Sequence, residues 1–209
     1  MGTRHVTAVF LNGEPKVAQY GQWDGYPSGQ GVTILNFLKK ASINKFRKKV
    51  AECVFLPPEE IKQRWTECGA DPNSEWVGLD IAKKFEQKYP GLYRDTGAAI
   101  LEMIYKNEVK ELQNSLDFVK DSLWCEWAYV IDLDKNTFEV YEGFNHKPLN
   151  EGDRFYTETP IEKKGISGET TEYYPVGLKK SYSFDNLPDK QSFVDELEKE
   201  EEEEEEKES

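Results

Sequence analysis

The chemistry-bearing residues of this chain are few, and one short stretch gathers most of the polar ones. Residues 1–31 hold Thr3, Arg4 and His5, then Gln22 and Asp24, and then a loop with Gly25, Gly29 and Gly31. Asn12-Gly13 lies midway, a pair that tolerates positive φ and predicts a two-residue hairpin turn. A hairpin closing there sets residues near 3 opposite residues near 22. Thr3, Arg4, Gln22 and Asp24 then meet at one end of a sheet, beside the glycine loop. Arg4 and Asp24 are placed to pair. A polar cluster at a sheet end beside a loop is a natural place for a site. The glycine loop precedes a helix, so its free N–H groups offer either an anion cradle or only a tight strand-to-helix turn. It lacks the Gly-Lys-Ser/Thr ending of a P-loop and the spacing of G-x-G-x-x-G.

The remaining reactive residues make weaker patterns. His5 and His146 are the only histidines, and neither has cysteine or carboxylate partners at zinc-ligand spacing. No metal site and no cofactor is expected. Cys53, Cys68 and Cys125 are too scattered for a disulfide framework and fit a reduced, cytosolic chain. Cys125 lies inside the strand-like Trp124-Cys125-Glu126-Trp127, where a packed thiol is favoured over a Cys125–His146 nucleophile pair. Asp132-x-Asp134-x-Asn136 imitates half an EF-hand loop, but position six is Thr137 and position twelve is Gly143. A hairpin turn explains it better.

Charge is unevenly spread. The net charge is −13, yet residues 195–209 hold eleven of the 40 acidic residues and two of the 27 bases. The rest of the chain is nearly balanced. Such a run cannot repay the entropy of folding and predicts a disordered acidic tail over 191–209, following a single domain over 1–190. Lys39, Lys40, Lys45, Arg47, Lys48 and Lys49 form a basic cluster without an intervening acid. It is read as a solvated helix face; docking of the tail there, or contact with nucleic acid, is the sharper alternative. Nucleic acid is an unlikely partner because the body is acidic and shows no recognition motif. No apolar run reaches membrane-spanning length, and Val6 stands where a myristoylation signal wants Ser or Thr.

The elements that must position these residues follow from periodicity. A strand is predicted over 5–11 and its return over 16–23. A helical stretch over 33–53, broken near Ser42, begins at a Thr33 cap. A short helix runs over 59–68 with Pro58 in its first turn. Another runs from a Ser74 cap to Tyr89, and one more starts at Asp95 or Thr96. A second hairpin pairs the apolar run ending at Leu133 with 137–141. A polar connection spans 145–172, with a short strand near 154–157, and a last strand covers 176–184. Strands at both ends with helices between them indicate the α+β class: an antiparallel sheet with layered helices, of which αββα is one form.

Two resemblances add to this reading. Met1-Gly2-Thr3-Arg4 followed by Gln22-x-Asp24-Gly25-Tyr26-Pro27-x-Gly29-x-Gly31 resembles a widespread family of small proteins with no established activity. More remotely, the opening strand, glycine turn and returning Gly21-Gln22-Trp23-Asp24 resemble the choloylglycine hydrolase-like branch of the N-terminal nucleophile hydrolases. That resemblance implies αββα layering and an amide-bond hydrolase or amidotransferase, with Thr3 as nucleophile once two residues are removed. From the residues themselves, the favoured reading is a non-catalytic module. It binds a small molecule or peptide through Thr3, Arg4, Gln22, Asp24, Tyr26, Gly29 and Gly31.

Overall fold

The strand His5–Leu11 (β1) is buried at all seven positions. Val9 and Leu11 face one apolar cluster, and Val6, Ala8 and Phe10 face another on the opposite side. A strand covered on both faces belongs in the middle of a sheet, with a partner on each edge. The computed structural model, which describes residues 2–74, 76–165 and 168–198, places it there. Glu14–Gly21 (β2) returns along one edge through Asn12 and Gly13, both at positive φ.

The other edge is filled from far along the chain. Helices α1 (Val32–Lys40), α2 (Ile43–Val50), α3 (Pro58–Glu67), α4 (Leu79–Lys88) and α5 (Ala99–Lys106) lie between, with a short pair β3 (Val54–Phe55) and β4 (Glu111–Leu112). Trp127–Asp132 (β5) then pairs with β1 in parallel, followed by antiparallel β6 (Thr137–Glu142) and, after the separate ribbon β7 (Ile161–Lys164) and β8 (Thr170–Tyr173), β9 (Gly177–Ser183). The sheet order is β2-β1-β5-β6-β9. The fold is α+β. The expected all-antiparallel sheet is corrected at its centre: the long helical crossover allows β5 to enter beside β1 in the same direction, which a short hairpin could not do.

Among the described residues, α-helices pack on one face of the sheet, and the other face meets a single 3-10 turn, Leu116–Lys120, and loop segments. Residues of α1, α2 and α5 pack with Val9, Leu11, Tyr129, Ile131 and Phe138 in the main core. The opposite face carries Val119, Cys125, Phe155 and Val176 from chain segments instead. Among the described residues no second five-stranded sheet stacks on the first, so the layers are not αββα. Helices α3 and α4 form a satellite core in which Trp65 stacks on Phe85 at 3.6 Å. No described helix is long and apolar enough to cross a membrane.

Several boundaries differ from the sequence pattern. The break expected near Ser42 is present, and Ser42 caps α2 there, its hydroxyl accepting from the Lys45 N–H. The N-cap of α1 is Gly31, and Thr33 lies inside the helix. Ser74 Oγ accepts instead from the Trp76 N–H in a tight turn, so α4 starts at Leu79. Helix α5 begins at Ala99. The strand expected near 154–157 is absent because Arg154 is drawn into an ion cluster: its Nε lies 2.9 Å from Glu139 and its Nη2 2.5 Å from Asp132.

The boundary drawn at residue 190 is also corrected. Residues 190–198 form a helix (α6) whose Phe193 and Leu197 are fully buried. Phe193 stacks on Phe138 with centroids 5.7 Å apart and packs against Tyr182. Two apolar side chains four residues apart suffice to dock one helical face. The acidic run over 199–209 lies outside the described residues. Phe193→Ala should cost about 3–5 kcal/mol in urea unfolding, because it empties an aromatic stack in the main core. A cost near zero would put α6 outside the folded unit.

Candidate functional site

The first residues of β1 and β5 and the last of β2 and β6 lie at one end of the sheet. The N-terminal segment is fastened here: the Gly25 N–H donates to the Thr3 carbonyl at 3.0 Å. Thr3 is buried beneath the loop. A Cβ on Gly2 would fall 2.3 Å from the Trp23 ring, so only glycine lets that indole lie across the chain. Gln22 Oε1 accepts from the Tyr20 hydroxyl at 2.6 Å and from the Arg94 guanidinium. Asp24 is exposed, with φ of 56°, in the left-handed region that Asp and Asn tolerate best among non-glycine residues.

The glycine loop is a single π-helical turn, Pro27–Gly31, that runs directly into α1. Its N–H groups are used internally. Gly29 and Gly31 donate to the Tyr26 carbonyl at 3.0 and 3.3 Å, and Gln30 to the Asp24 carbonyl at 2.9 Å. Ser28 N–H donates to the Glu198 carboxylate of α6 at 2.8 Å. The loop therefore does receive an anion, but one supplied by its own chain. Gly29 and Gly31 are packing glycines: a Cβ would fall 2.4 Å from the Asp24 carbonyl oxygen at the first and 3.0 Å from the Phe193 ring at the second.

Arg4 leaves the cluster. Side chains alternate along a strand, so position 4 shares the loop-covered face with Val6. Its guanidinium lies 4.6 Å over the Trp124 ring, and its N–H donates to Glu126 at 3.1 Å. The expected Arg4–Asp24 pair does not form among the described salt bridges. Thr3, Gln22, Asp24 and Tyr26 share the sheet end with Arg4, while Gly31 belongs to the core.

Two features at this end go beyond the sequence reading, which named His5 and Tyr26 but neither the burial of the first nor the aromatic neighbours of the second. The first is His5, fully buried, with neither ring nitrogen hydrogen-bonded. It is walled by Gly21, where a Cβ would fall 2.0 Å from the imidazole, and approached by Gly97 and Gly25. Tyr129 meets it edge-on at 6.2 Å and donates its hydroxyl to the Gly25 carbonyl at 2.7 Å. Burial holds the imidazole neutral, its pKa lowered to about 3. The hairpin register carried the signal, since it sets His5 opposite Gly21.

The second is a rim of exposed aromatic side chains. Trp23 and Tyr26 from the β2–α1 loop are 55% and 49% exposed, Trp124 before β5 41%, and Phe144 after β6 55%. Phe144 has φ of 50°, a strained value for a bulky residue. It is held by its N–H to the Ser122 carbonyl at 2.8 Å, while Gly143 N–H bonds Glu126 O at 2.8 Å. Trp124 and Phe144 therefore sit on two loops bound to each other. Nothing in their periodicity marks them, because loop side chains carry none.

The other reactive residues serve the fold. Cys125 is fully buried, its thiol 3.4 Å from the Trp127 carbonyl and its pKa raised by burial. His146 Nδ1 lies 2.9 Å from the Glu172 carbonyl, so the two do not form a pair. Cys53 is pushed up to about 11 by burial. Asp132 Oδ1 accepts from the Asp134 and Lys135 N–H groups, the hairpin turn that the sequence indicated. Within the basic cluster, Arg47 reaches the Leu133 carbonyl and Asn136, Lys49 reaches Asn107, and Lys45 sits 3.8 Å over Tyr105. Among the described residues no group of three His, Cys, Asp or Glu side chains could hold a metal ion.

Two outcomes test this end. Below its ordinary value of 6.5 an unfolded His5 takes up a proton, whereas the folded one stays neutral down to about 3. Its contribution to stability should fall by about 1.4 kcal/mol per pH unit as pH drops from 6.5 towards 5. Urea unfolding at stepped pH should show that slope, and His5→Gln should flatten it. Gly21→Ala should cost about 1–3 kcal/mol through overpacking. His5→Ala in the same chain should recover part of that loss, since the two sites touch.

Comparison with protein-family models, curated proteins and solved structures finds no match for this chain, so the function of this sheet end is judged on its geometry and chemistry.

Proposed function

We propose that the chain is a non-catalytic binding module that takes up a small molecule or peptide at the end of the sheet where β1 begins. The observation that carries this reading is the rim itself. Trp23, Tyr26, Trp124 and Phe144, from three separate loops, are all substantially exposed at that one end. Burying large aromatic surface is favourable, and clustered exposure of it marks interaction surfaces. Both loop pairs are held by backbone hydrogen bonds, so the rings are displayed on a prepared frame. Little ordering is then left to be paid for on binding.

Binding fits better than chemistry. His5 is neutral and enclosed, Cys125 is sealed in the core, and Thr3, the residue an N-terminal nucleophile would need, is buried under the loop. None of them is placed as a nucleophile beside a base. Asp24, in the same loop as Trp23 and Tyr26, supplies an exposed carboxylate as a polar handle.

Selection of peptides from a displayed random library against the immobilised full chain tests the reading. Recovered peptides should raise the melting temperature of the protein. Trp23→Ala and Trp124→Ala, both at half-exposed positions, should each weaken binding by roughly tenfold or more while leaving the melting temperature of the free protein close to unchanged. Peptides that bind both variants as well as the parent chain would place the surface elsewhere.

A further inference from the structure

The most exposed large apolar side chains are not those of the rim. They belong to the turn between α3 and α4 and to the first residue of α4. Trp76 is 90% exposed and Leu79 81%, more than any other large hydrophobic among the described residues. A lone half-exposed apolar side chain needs no explanation, but a bare indole with a bare leucine three residues on marks an interaction surface. The backbone beneath the indole is held in place. The Ser74 hydroxyl accepts from the Trp76 N–H and donates to the Trp76 carbonyl, both at 3.1 Å. The Asn73 N–H donates to Asp71 at 2.9 Å in the same turn. Trp76 is thus displayed on a prepared frame, which lowers the ordering cost of docking it.

The same turn borders a pocket of about 270 Å³. Ile61, Trp65, Ala70, Pro72 and Val77 give it apolar walls. Small-molecule sites usually run from ~300 to 1,000 Å³, so this one suits a single large side chain better than a whole ligand. Its own chain does not fill it, since Trp76 stands in solvent. Yet Val77, next to Trp76 in sequence, and Ser74, two residues before it, both line the pocket. The projecting ring and the hole therefore share one patch.

A patch that carries both a knob and a hole is complementary to itself. A twofold axis through it brings each knob to the other copy's hole, and both insertions close in one contact. We infer that the occupant is a second copy of this chain: Trp76 of each protomer enters the α3–α4 pocket of the other, and Leu79 packs at the border of the contact. Charge permits the meeting. Lys62 and Asp71, of opposite sign, also line the pocket, so two identical patches face each other without a surplus of like charge. The area is sufficient for a weak dimer. Covering Trp76 and Leu79 in both copies removes on the order of 600 Å² of side-chain surface. The walls that receive them lose roughly as much again, which reaches the ~1,200 Å² lower end of specific interfaces.

Sedimentation velocity of the full chain reads the oligomeric state directly. Interfaces of this size are weak, so monomer should give way to dimer between roughly 10 and 500 µM, and nothing larger should form. Trp76→Ala should raise the dissociation constant by ~10-fold or more, with the melting temperature of the monomer unchanged because the side chain it removes is exposed. Thr66 is exposed and lines the pocket, so Thr66→Trp should fill the hole while leaving the knob, and should also hold the chain monomeric. An equimolar mixture of these two variants keeps one of the two insertions. It should form more dimer than either variant alone and less than the parent chain. A parent chain that stays monomeric throughout overturns the proposal, as does a dimer indifferent to Trp76→Ala or to Thr66→Trp, or growth into open-ended assemblies. A monomeric chain whose Trp76 instead carries it onto neutral phosphatidylcholine vesicles overturns it too, and assigns the ring to lipid. None of these variants alters a rim residue, so the peptide-binding reading above is tested separately.

Discussion

A strand covered on both faces cannot sit at the margin of a sheet, and β1 is such a strand. Its seven residues are all buried, and six of them, His5 to Phe10, pair along one edge with residues more than a hundred positions away. The hairpin with β2 satisfies one row of backbone groups. The other row needs a partner that arrives from outside, and β5 arrives only after five helices have been laid down. Three of those helices, α1, α2 and α5, collect on the side of Val9 and Leu11, and α3 and α4 form the satellite core. The parallel pair at the centre and the one-sided helical layer are two consequences of burying this single segment.

The same strand carries polar residues into the interior, and the two ends of the sheet deal with buried polarity differently. Near Phe10, Arg154 lies against Asp132 and Glu139, with the Tyr141 hydroxyl donating to Glu139 at 2.7 Å and the guanidinium 4.4 Å over the Phe10 ring. Arg154 bridges both carboxylates, and each of them accepts further hydrogen bonds, Glu139 from Tyr141 and Asp132 from the Asp134 and Lys135 N–H groups. Such a cluster contributes little net stability, but losing one partner would leave another charge stranded. At the opposite end His5 has no hydrogen bond, and neither does the Thr7 hydroxyl two residues on. Unmade hydrogen bonds of this kind cost about 1–3 kcal/mol each. The fully paired end ties down the Asp132–Thr137 turn. The under-satisfied end is where the loops of the rim are mounted.

Much of the fold was legible because it rests on local chemistry. The β1 span, the Asn12-Gly13 turn, the Ser42 break, the Pro58 start of α3 and the β5–β6 hairpin each follow from residues within a few positions of one another. The parallel partner of β1 was not legible, since strand order depends on packing between segments more than a hundred residues apart. Arg154 illustrates the same limit: its sequence neighbours suggest a polar strand, and only the placement of Asp132 and Glu139 explains its burial. At this sheet end, the sequence located the loop and the exposed Asp24 within it. It misplaced Arg4, because strand alternation turns that side chain to the other face. It passed over Trp124 and Phe144, whose exposure is a property of two mutually bonded loops rather than of any motif.

Composition also misled at the C-terminus, for a physical reason. Acidic density rises from Asp195 onward, while the residues that decide docking are Phe193 and Leu197. One helical face with two apolar anchors outweighs the charge on the other face, particularly when Glu196 finds the Tyr182 hydroxyl at 2.9 Å and Lys180 at 3.5 Å. The consequence reaches the site. Phe193 fits against Gly31 because that residue has no Cβ, and this fit fixes the direction in which α6 runs. Its last turn then meets Ser28 with a carboxylate. Core packing at Phe193 and Leu197 thus reaches the glycine loop, which has little free N–H capacity of its own and whose Ser28 N–H is taken by the Glu198 carboxylate.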